Sequence, residues 1–334
     1  MAQQHYYVIG LSASENDEDA PLPPHLESLI LSTTPTCTIL DQKTHGNALL
    51  IECCSSQPEA SILAHLEQVV RCHAETYVSA PCRIPIRTWT AEQLTADAFS
   101  ESGLTVFPNA VSDSDVRLLR SLCATRIAKA HAVLAANHAG IDVGRAAFAF
   151  KEIASRGLER FDLLLSANDN PDDVDIVARI VQNGVWMPLI RKLLHADADD
   201  DDARPVPCAV SVVYSRPGAD TQSWHADGVP ASPPYAVCVF LPLVDLTHET
   251  GYTQFWPGTQ ASRGLLGFGP AAEVCGATFD GMVSSGSAVV YDYGTLHRGL
   301  GNNSGEIRPV LQVVYHVPEW KDTKNYGTEI LLRE

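Results

Sequence analysis

Apolar residues change their rhythm along this chain. Over 59–76 they fall at Ile62, Leu63, Leu66, Val69 and Val70, one stripe of a 3.6-residue period that predicts an amphipathic helix. Shorter apolar stretches surround it. Residues 5–11, 37–40 and 48–53 read as strands, the last two either side of a turn at His45-Gly46-Asn47. Residues 25–32 read as a short helix and 77–86 as a closing extended piece. The order β-α-β-β-α-β over residues 1–90 fits a small α/β module of split βαβ, ferredoxin-like type.

Residues 91–334 read as a second unit. Thr90-Ala91-Glu92 carries helix-start chemistry, and 99–110 reads as a strand. Ser112-Asp113-Ser114-Asp115 then caps a long helix running to about Ala136. Its acidic start and basic body (Arg117, Arg120, Arg126, Lys129) complement the helix dipole. Two more helices are predicted over 174–182 and 187–195. From 206 to 318 the period shortens: 209–214, 236–243, 287–291 and 309–315 are apolar strands between Gly/Pro turns, the pattern of a sandwich or jelly roll. The expected fold is therefore α+β, a jelly roll with buttressing helices behind the small module.

Composition narrows the function classes. With 45% hydrophobic and 19% charged residues, the 334-residue chain can bury a substantial core. Its formal net charge of −17 argues against nucleic-acid partners and anionic membrane surfaces. No apolar run reaches membrane-span length. The nine cysteines contain no CxxC pair, and Met1-Ala2-Gln3-Gln4 does not open a secretory signal, so free thiols and a cytoplasmic location are expected. Five aspartates within 197–202 lack EF-hand spacing and read as a solvated loop. Gly299-Leu300-Gly301 does not satisfy a dinucleotide fingerprint.

The candidate chemistry lies in two segments, Trp224-His225-Ala226-Asp227-Gly228 and Tyr293-Gly294-Thr295-Leu296-His297-Arg298-Gly299, with Arg308 eleven residues after His297. In extended backbone His225 and Asp227 share one face. His297 is placed to join them from a distant strand. Two imidazoles and one carboxylate form the ligand set of non-haem Fe(II) oxygenases, with positions left open for substrate and dioxygen. A guanidinium such as that of Arg308 suits a bound dicarboxylate. A lone histidine or aspartate is more often a surface or core residue, so it is the ordered set that carries weight. Tyr214, on the strand before the metal segment, is a candidate contact to the co-substrate through its hydroxyl. Phe240, Trp224 and Trp256 are candidate pocket walls that packing explains as well. Arg216 and Arg298 are candidates for an anionic substrate. His316 falls on the nominal face of Arg308, far from the proposed metal.

From about residue 94 to 318 the chain resembles the phytanoyl-CoA dioxygenase family of Fe(II)/2-oxoglutarate oxygenases. The resemblance rests on the segment 224–228, on Trp256-Pro257-Gly258-Thr259-Gln260 in the place of the family's Pro-Gly-Ser/Thr-His turn, and on His297 through Asn302-Asn303-Ser304 to Arg308. The stretch 103–119 also looks like the family's strand-then-helix opening. The resemblance implies a double-stranded β-helix, Fe(II) held by His225, Asp227 and His297, and 2-oxoglutarate held through Arg308. It implies decarboxylation to succinate and CO2 coupled to oxidation of a substrate C–H bond by dioxygen, with ascorbate a candidate reductant. The carboxylate of Asp227 favours hydroxylation over halogenation; desaturation, cyclisation and epimerisation use the same iron set. Two residues depart from the family pattern: Gln260 replaces the turn histidine, and Gly299 stands where members often carry a hydroxyl. The expected substrate is a small-molecule metabolite. The alternatives are a peptide or protein hydroxylase and a non-catalytic jelly-roll binding protein, and the oligomeric state is left open.

Overall fold

The computed structural model describes residues 3–10, 37–41, 48–55, 59–71, 82–83, 85, 87–165, 171–194, 206–262, 265, 271–321 and 325–332. Near the N-terminus, β1 (Gln3–Gly10), β2 (Cys37–Asp41), β3 (Ala48–Ser55), α1 (Glu59–Arg71) and β4 (Cys82–Arg83) follow one another. The strands form an antiparallel sheet in the order β2-β3-β1-β4. Its apolar positions obey both periods: Ile51 and Cys53 alternate on β3, and Ile62 and Leu66 lie one turn apart on α1, all four buried. The helix expected over 25–32 lies outside the described residues. Cys53 is disulfide-bonded, which corrects the expectation of free thiols throughout. Pairing between strands, invisible in spacing along the chain, brings Cys37 into register with Cys53. Cys123, Cys208 and Cys238 are free.

The remainder contains α2 (Phe99–Ser102), β5 (Leu104–Phe107), α3 (Asp113–Asn137), β6 (Ile153–Ser155), β7 (Arg160–Leu164), α4 (Pro171–Asn183) and α5 (Met187–Leu194). Then come β8 (Cys208–Ser215), β9 (Ala236–Pro242), β10 (Thr253–Trp256), α6 (Ala271–Val274), β11 (Phe279–Gly281), β12 (Ala288–Asp292), β13 (Leu296–Gly299) and β14 (Arg308–His316). Seven strands build a large antiparallel sheet, β5-β12-β9-β14-β8-β7-β6, and three a small one, β11-β10-β13. The two sheets form a jelly roll, as expected.

Strand alternation gives the large sheet two different faces. On its outer face Val212, Tyr214, Val239, Leu241, Val290, Leu311 and Val313 pack with Leu119, Cys123, Ile127 and Leu134 of α3 and with Trp186 and Ile190. Burying one such leucine is worth several methylene transfers, so a Leu→Ala change here costs about 2–5 kcal/mol. Ser112 starts α3 by accepting a hydrogen bond from the Asp115 N–H at 3.2 Å. On the inner face Cys238, Val289, Tyr291 and Val314 meet Phe255 and Phe279 of the small sheet. Beside this apolar patch the inner face turns polar, and there the cavity opens.

Two expectations need correction. Residues 99–110 are not one strand: 99–102 make a helical turn that Gly103 ends at φ 65, a left-handed conformation suited to glycine, and only 104–107 pair in the sheet. The strands β6, β10, β11 and β13, three or four residues each, are too short for periodicity to reveal. Among the described residues no helix is long and apolar enough to cross a membrane.

Candidate active site

Residue 225 pairs with residue 297 in an isolated antiparallel bridge, each N–H donating to the other's carbonyl at 2.9 and 2.8 Å. The main chain thus brings together two histidines 72 positions apart, and Asp227 follows on the same face as His225. Asp227 Oδ1 lies 3.9 Å from His225 Nε2 and 3.7 Å from His297 Nε2. One ligand atom from each residue falls within 4.8 Å of the others. An ion with bonds of about 2.0–2.2 Å fits among them. The donor set is that of a divalent first-row metal with open positions.

The surrounding groups orient these three side chains. His225 Nδ1 faces the Ser223 carbonyl at 2.8 Å and His297 Nδ1 the Thr295 carbonyl at 3.0 Å. A carbonyl only accepts, so each Nδ1 carries the proton and each Nε2 presents its lone pair to the ligand point. Burial depresses the His297 pKa to about 4, against the opposing pull of Asp227, so its ring is neutral at physiological pH. Tyr291, fully buried, donates its hydroxyl to Asp227 Oδ2 at 2.8 Å and leaves Oδ1 facing the histidines. The His297 ring rests against Phe255 and Tyr291.

A cavity of about 570 Å³ opens from this cluster, and His225, Asp227, His297 and Arg308 all line it. Arg308 is buried at the start of β14. Its Nη1 donates to the Thr250 and Leu300 carbonyls at 3.1 and 3.0 Å, and its Nη2 to Ser215 Oγ at 3.0 Å. Burial, with Arg160 nearby, lowers its pKa to about 9, still charged at neutral pH. Farther along the wall, Arg156 donates to Asp162 Oδ2 at 3.1 Å and to the Asn325 carbonyl at 2.7 Å. Burial pushes the Asp162 carboxyl up, with Arg156 opposing. Asp162 Oδ1 is buried with no close hydrogen-bond partner among the described residues.

Tyr214 is a correction. Its neighbours Val213 and Ser215 line the cavity, so strand alternation sends Tyr214 to the opposite face. There it stacks on Phe161 and its hydroxyl meets His131 Nε2 at 2.7 Å. Phe240 does line the cavity. Trp256 is fully buried and donates to the Pro85 carbonyl, whereas Trp224 sits under Arg298. Arg298 is taken by Glu273 and Gln254, and Arg216 by Glu159, so neither is a free anion site. His316 packs on Trp320 away from the cluster. Gln260 ties its turn to α2 through the Ser100 and Glu101 carbonyls. Arg160 of β7 was not anticipated: it is buried in the cavity wall and, among the described residues, bonded only to main-chain carbonyls. The alternation Arg160-Phe161-Asp162-Leu163, charged on one face and apolar on the other, is the sequence signal that could have found it.

A family model described as phytanoyl-CoA dioxygenase matches residues 99–310. Among solved structures, the chain is similar to the non-heme alpha ketoglutarate dependent carbocyclase SnoK from nogalamycin biosynthesis: 18% identity, 69% of this chain, 87% of that one, TM-score 0.47. It is similar to AviO1 from Streptomyces viridochromogenes Tue57, with 18% identity, coverage of 71% and 99%, and TM-score 0.48. EctD from S. alaskensis with bound Fe gives 18% identity, coverage of 73% and 80%, and TM-score 0.46.

Proposed function

The chain belongs to the phytanoyl-CoA dioxygenase family of Fe(II)- and 2-oxoglutarate-dependent oxygenases, and from that premise we propose that it hydroxylates a C–H bond of a small-molecule metabolite. The observation that carries this reading is the sharing of one cavity by the 225/227/297 cluster and a buried arginine. His225, Asp227 and His297 hold the iron; Arg308 takes the distal carboxylate of 2-oxoglutarate, for which its planar donor edge is suited. Bound iron supplies dioxygen activation, coupled to conversion of 2-oxoglutarate to succinate and CO2.

The rest is work for the chain's own groups. Tyr291 holds Asp227 so that one oxygen faces the ligand point, and the Nδ1–H contacts fix both imidazoles in the tautomer that presents Nε2. Asp227 fills the position a halide would need, which favours hydroxylation. The cavity's volume suits a metabolite beside the co-substrate, and Asp162, Gln312 and Arg156 give that metabolite polar groups to orient on.

The test is an anaerobic titration of the protein with Fe(II) and 2-oxoglutarate. A weak visible charge-transfer band is expected, and the Arg308→Ala variant should need about 10–100-fold more 2-oxoglutarate to reach it, the range for a charged hydrogen bond. No band and no uncoupled succinate release in the wild type would sink the assignment. A metabolite screen scored by succinate release above the uncoupled rate then finds the substrate.

A further inference from the structure

Arg160 and Arg308 stand in one row across the large sheet, each in register with Ser215 on the strand between them. They are 2% and 5% exposed, and both line the cavity. Neither makes an ion pair with a carboxylate among the described residues. Burying two like charges side by side without an anion is costly.

The small sheet is shaped around them. The Leu300 carbonyl oxygen accepts from Arg160 Nη2 and Arg308 Nη1, each at 3.0 Å, so the two guanidinium groups converge on one point. A Cβ at Gly299 would sit 2.6 Å from Gln222 Oε1 and 2.7 Å from Arg160 Nη1, and one at Gly251 would overlap the Gly301 carbonyl and Arg308 Nη1. Glycine at 299 makes room for the Arg160 arm, whereas φ 76 and the Gly301 carbonyl already require glycine at 251. Gly299 lies two residues past His297, on the cavity side of β13. The Arg160 arm therefore fills the space that a side chain at 299 would take.

Donor accounting points the same way. Arg160 Nη2 serves the Asp220, Leu300 and Gly299 carbonyls. Its Nε–H and Nη1 protons have no acceptor among the described residues. Arg308 commits Nη1 to two carbonyls and one Nη2 proton to Ser215. Its Nε–H and second Nη2 proton are uncommitted. Main-chain carbonyls, with the Ser215 hydroxyl, thus hold part of each guanidinium, and both arginines line the cavity that also holds the metal-ligand cluster. A carboxylate accepts through two oxygens and can bridge two such donors.

We propose that Arg160 and Arg308 form a two-armed clamp that takes the distal carboxylate of 2-oxoglutarate between them, with Gly299 kept free of a side chain to admit the Arg160 arm. The clamp rests on the co-substrate assignment made above. It makes affinity depend on that carboxylate more steeply than one arginine would, because the incoming charge also relieves the repulsion between the arms.

The experiment compares two 2-oxoacids on the Fe(II)-loaded protein under anaerobic conditions. Both 2-oxoglutarate and pyruvate present a chelating end to iron, and only the first has a distal carboxylate. Arg160→Gln is expected to weaken 2-oxoglutarate about 10–100-fold, read from the charge-transfer band, and to leave pyruvate within about twofold. Arg308→Ala is expected to show the same split. If Arg308→Ala weakens 2-oxoglutarate and Arg160→Gln does not, the clamp is overturned and the co-substrate assignment stands. If neither variant weakens it, the assignment itself falls. Equal weakening of both oxoacids in Arg160→Gln makes Arg160 a support of the fold, and the clamp is again overturned. Should Arg160→Gln not fold, Gly299→Ala decides, because its methyl group presses on Arg160 Nη1 and brings no hydroxyl that could itself hold the co-substrate. Weaker 2-oxoglutarate with unchanged pyruvate supports the clamp; unchanged 2-oxoglutarate rejects it.

Discussion

Replacing Tyr291 by phenylalanine removes one oxygen from the protein and tests how the carboxylate of the ligand cluster is held. The ring packs against Phe240, Phe255 and His297 with centroids 5.0 to 5.2 Å away, and all of these contacts survive the change. What is lost is the 2.8 Å hydrogen bond to Asp227 Oδ2. A hydrogen bond to a charged group is worth about 1.5–3 kcal/mol. Removing the group that orients a metal ligand typically weakens metal binding about 10–100-fold. The two ranges agree, since about 1.4 kcal/mol is a factor of ten. Burial and the Asp227 charge push the Tyr291 phenol well above its usual pKa, so it remains a donor at any working pH. The assay is Fe(II) affinity by anaerobic competition with a chelator, with the melting curve recorded alongside. Affinity should fall by one to two orders of magnitude while the cooperative transition persists. A folded variant that binds Fe(II) within twofold of the wild type would refute the reasoning, because Asp227 would then need no orienting partner or would not be a ligand.

Two further substitutions report on other parts of the argument. Tyr214→Phe should lower stability by about 1 kcal/mol through loss of the His131 contact, measured by denaturant unfolding, and leave 2-oxoglutarate affinity unchanged; a shift in that affinity would contradict the placement of Tyr214 outside the cavity. Asp292→Asn should raise the melting temperature, and more at pH 8 than at pH 5. Burial raises the Asp292 pKa to about 7, so its carboxyl costs the fold stability as pH climbs from the ordinary carboxylate range through 7. Asparagine keeps the oxygen that accepts from Gly294 N–H at 2.8 Å, and an equal effect at both pH values would speak against the burial cost.

The long strands of the large sheet were legible because each has an apolar set pressed under helices, and eight or nine residues show that repetition. The small sheet was not, since four residues of β10 or β13 leave too few positions to show a period. Convergence of His225, Asp227 and His297 could be anticipated from local spacing plus one distant histidine. Arg160 could not be paired with anything in the sequence: its partners are main-chain carbonyls up to 140 residues away, and carbonyls have no residue identity. The Tyr214 error came from proximity without parity. Tyr214 does sit on the strand leading to the metal segment, but its register partner is Pro309, while Ser215 faces Arg308 across the sheet. Fixing the inward face by Arg308 would have assigned Ser215 to the cavity and Tyr214 to the helices.

The bridge between residues 225 and 297 is made of main chain alone, so hydrogen bonds that involve neither imidazole set the spacing of the two histidines. The ligand cluster is therefore held by backbone as well as by its own side-chain contacts. Such a site is selective for geometry and donor type but blind to identity within the divalent first row. Nickel and copper outbind Fe(II) at a site of this composition. The metal that purified protein carries will then follow the affinity and supply of each ion, and mismetallation becomes a reversible form of inhibition that a chelator and fresh Fe(II) can undo.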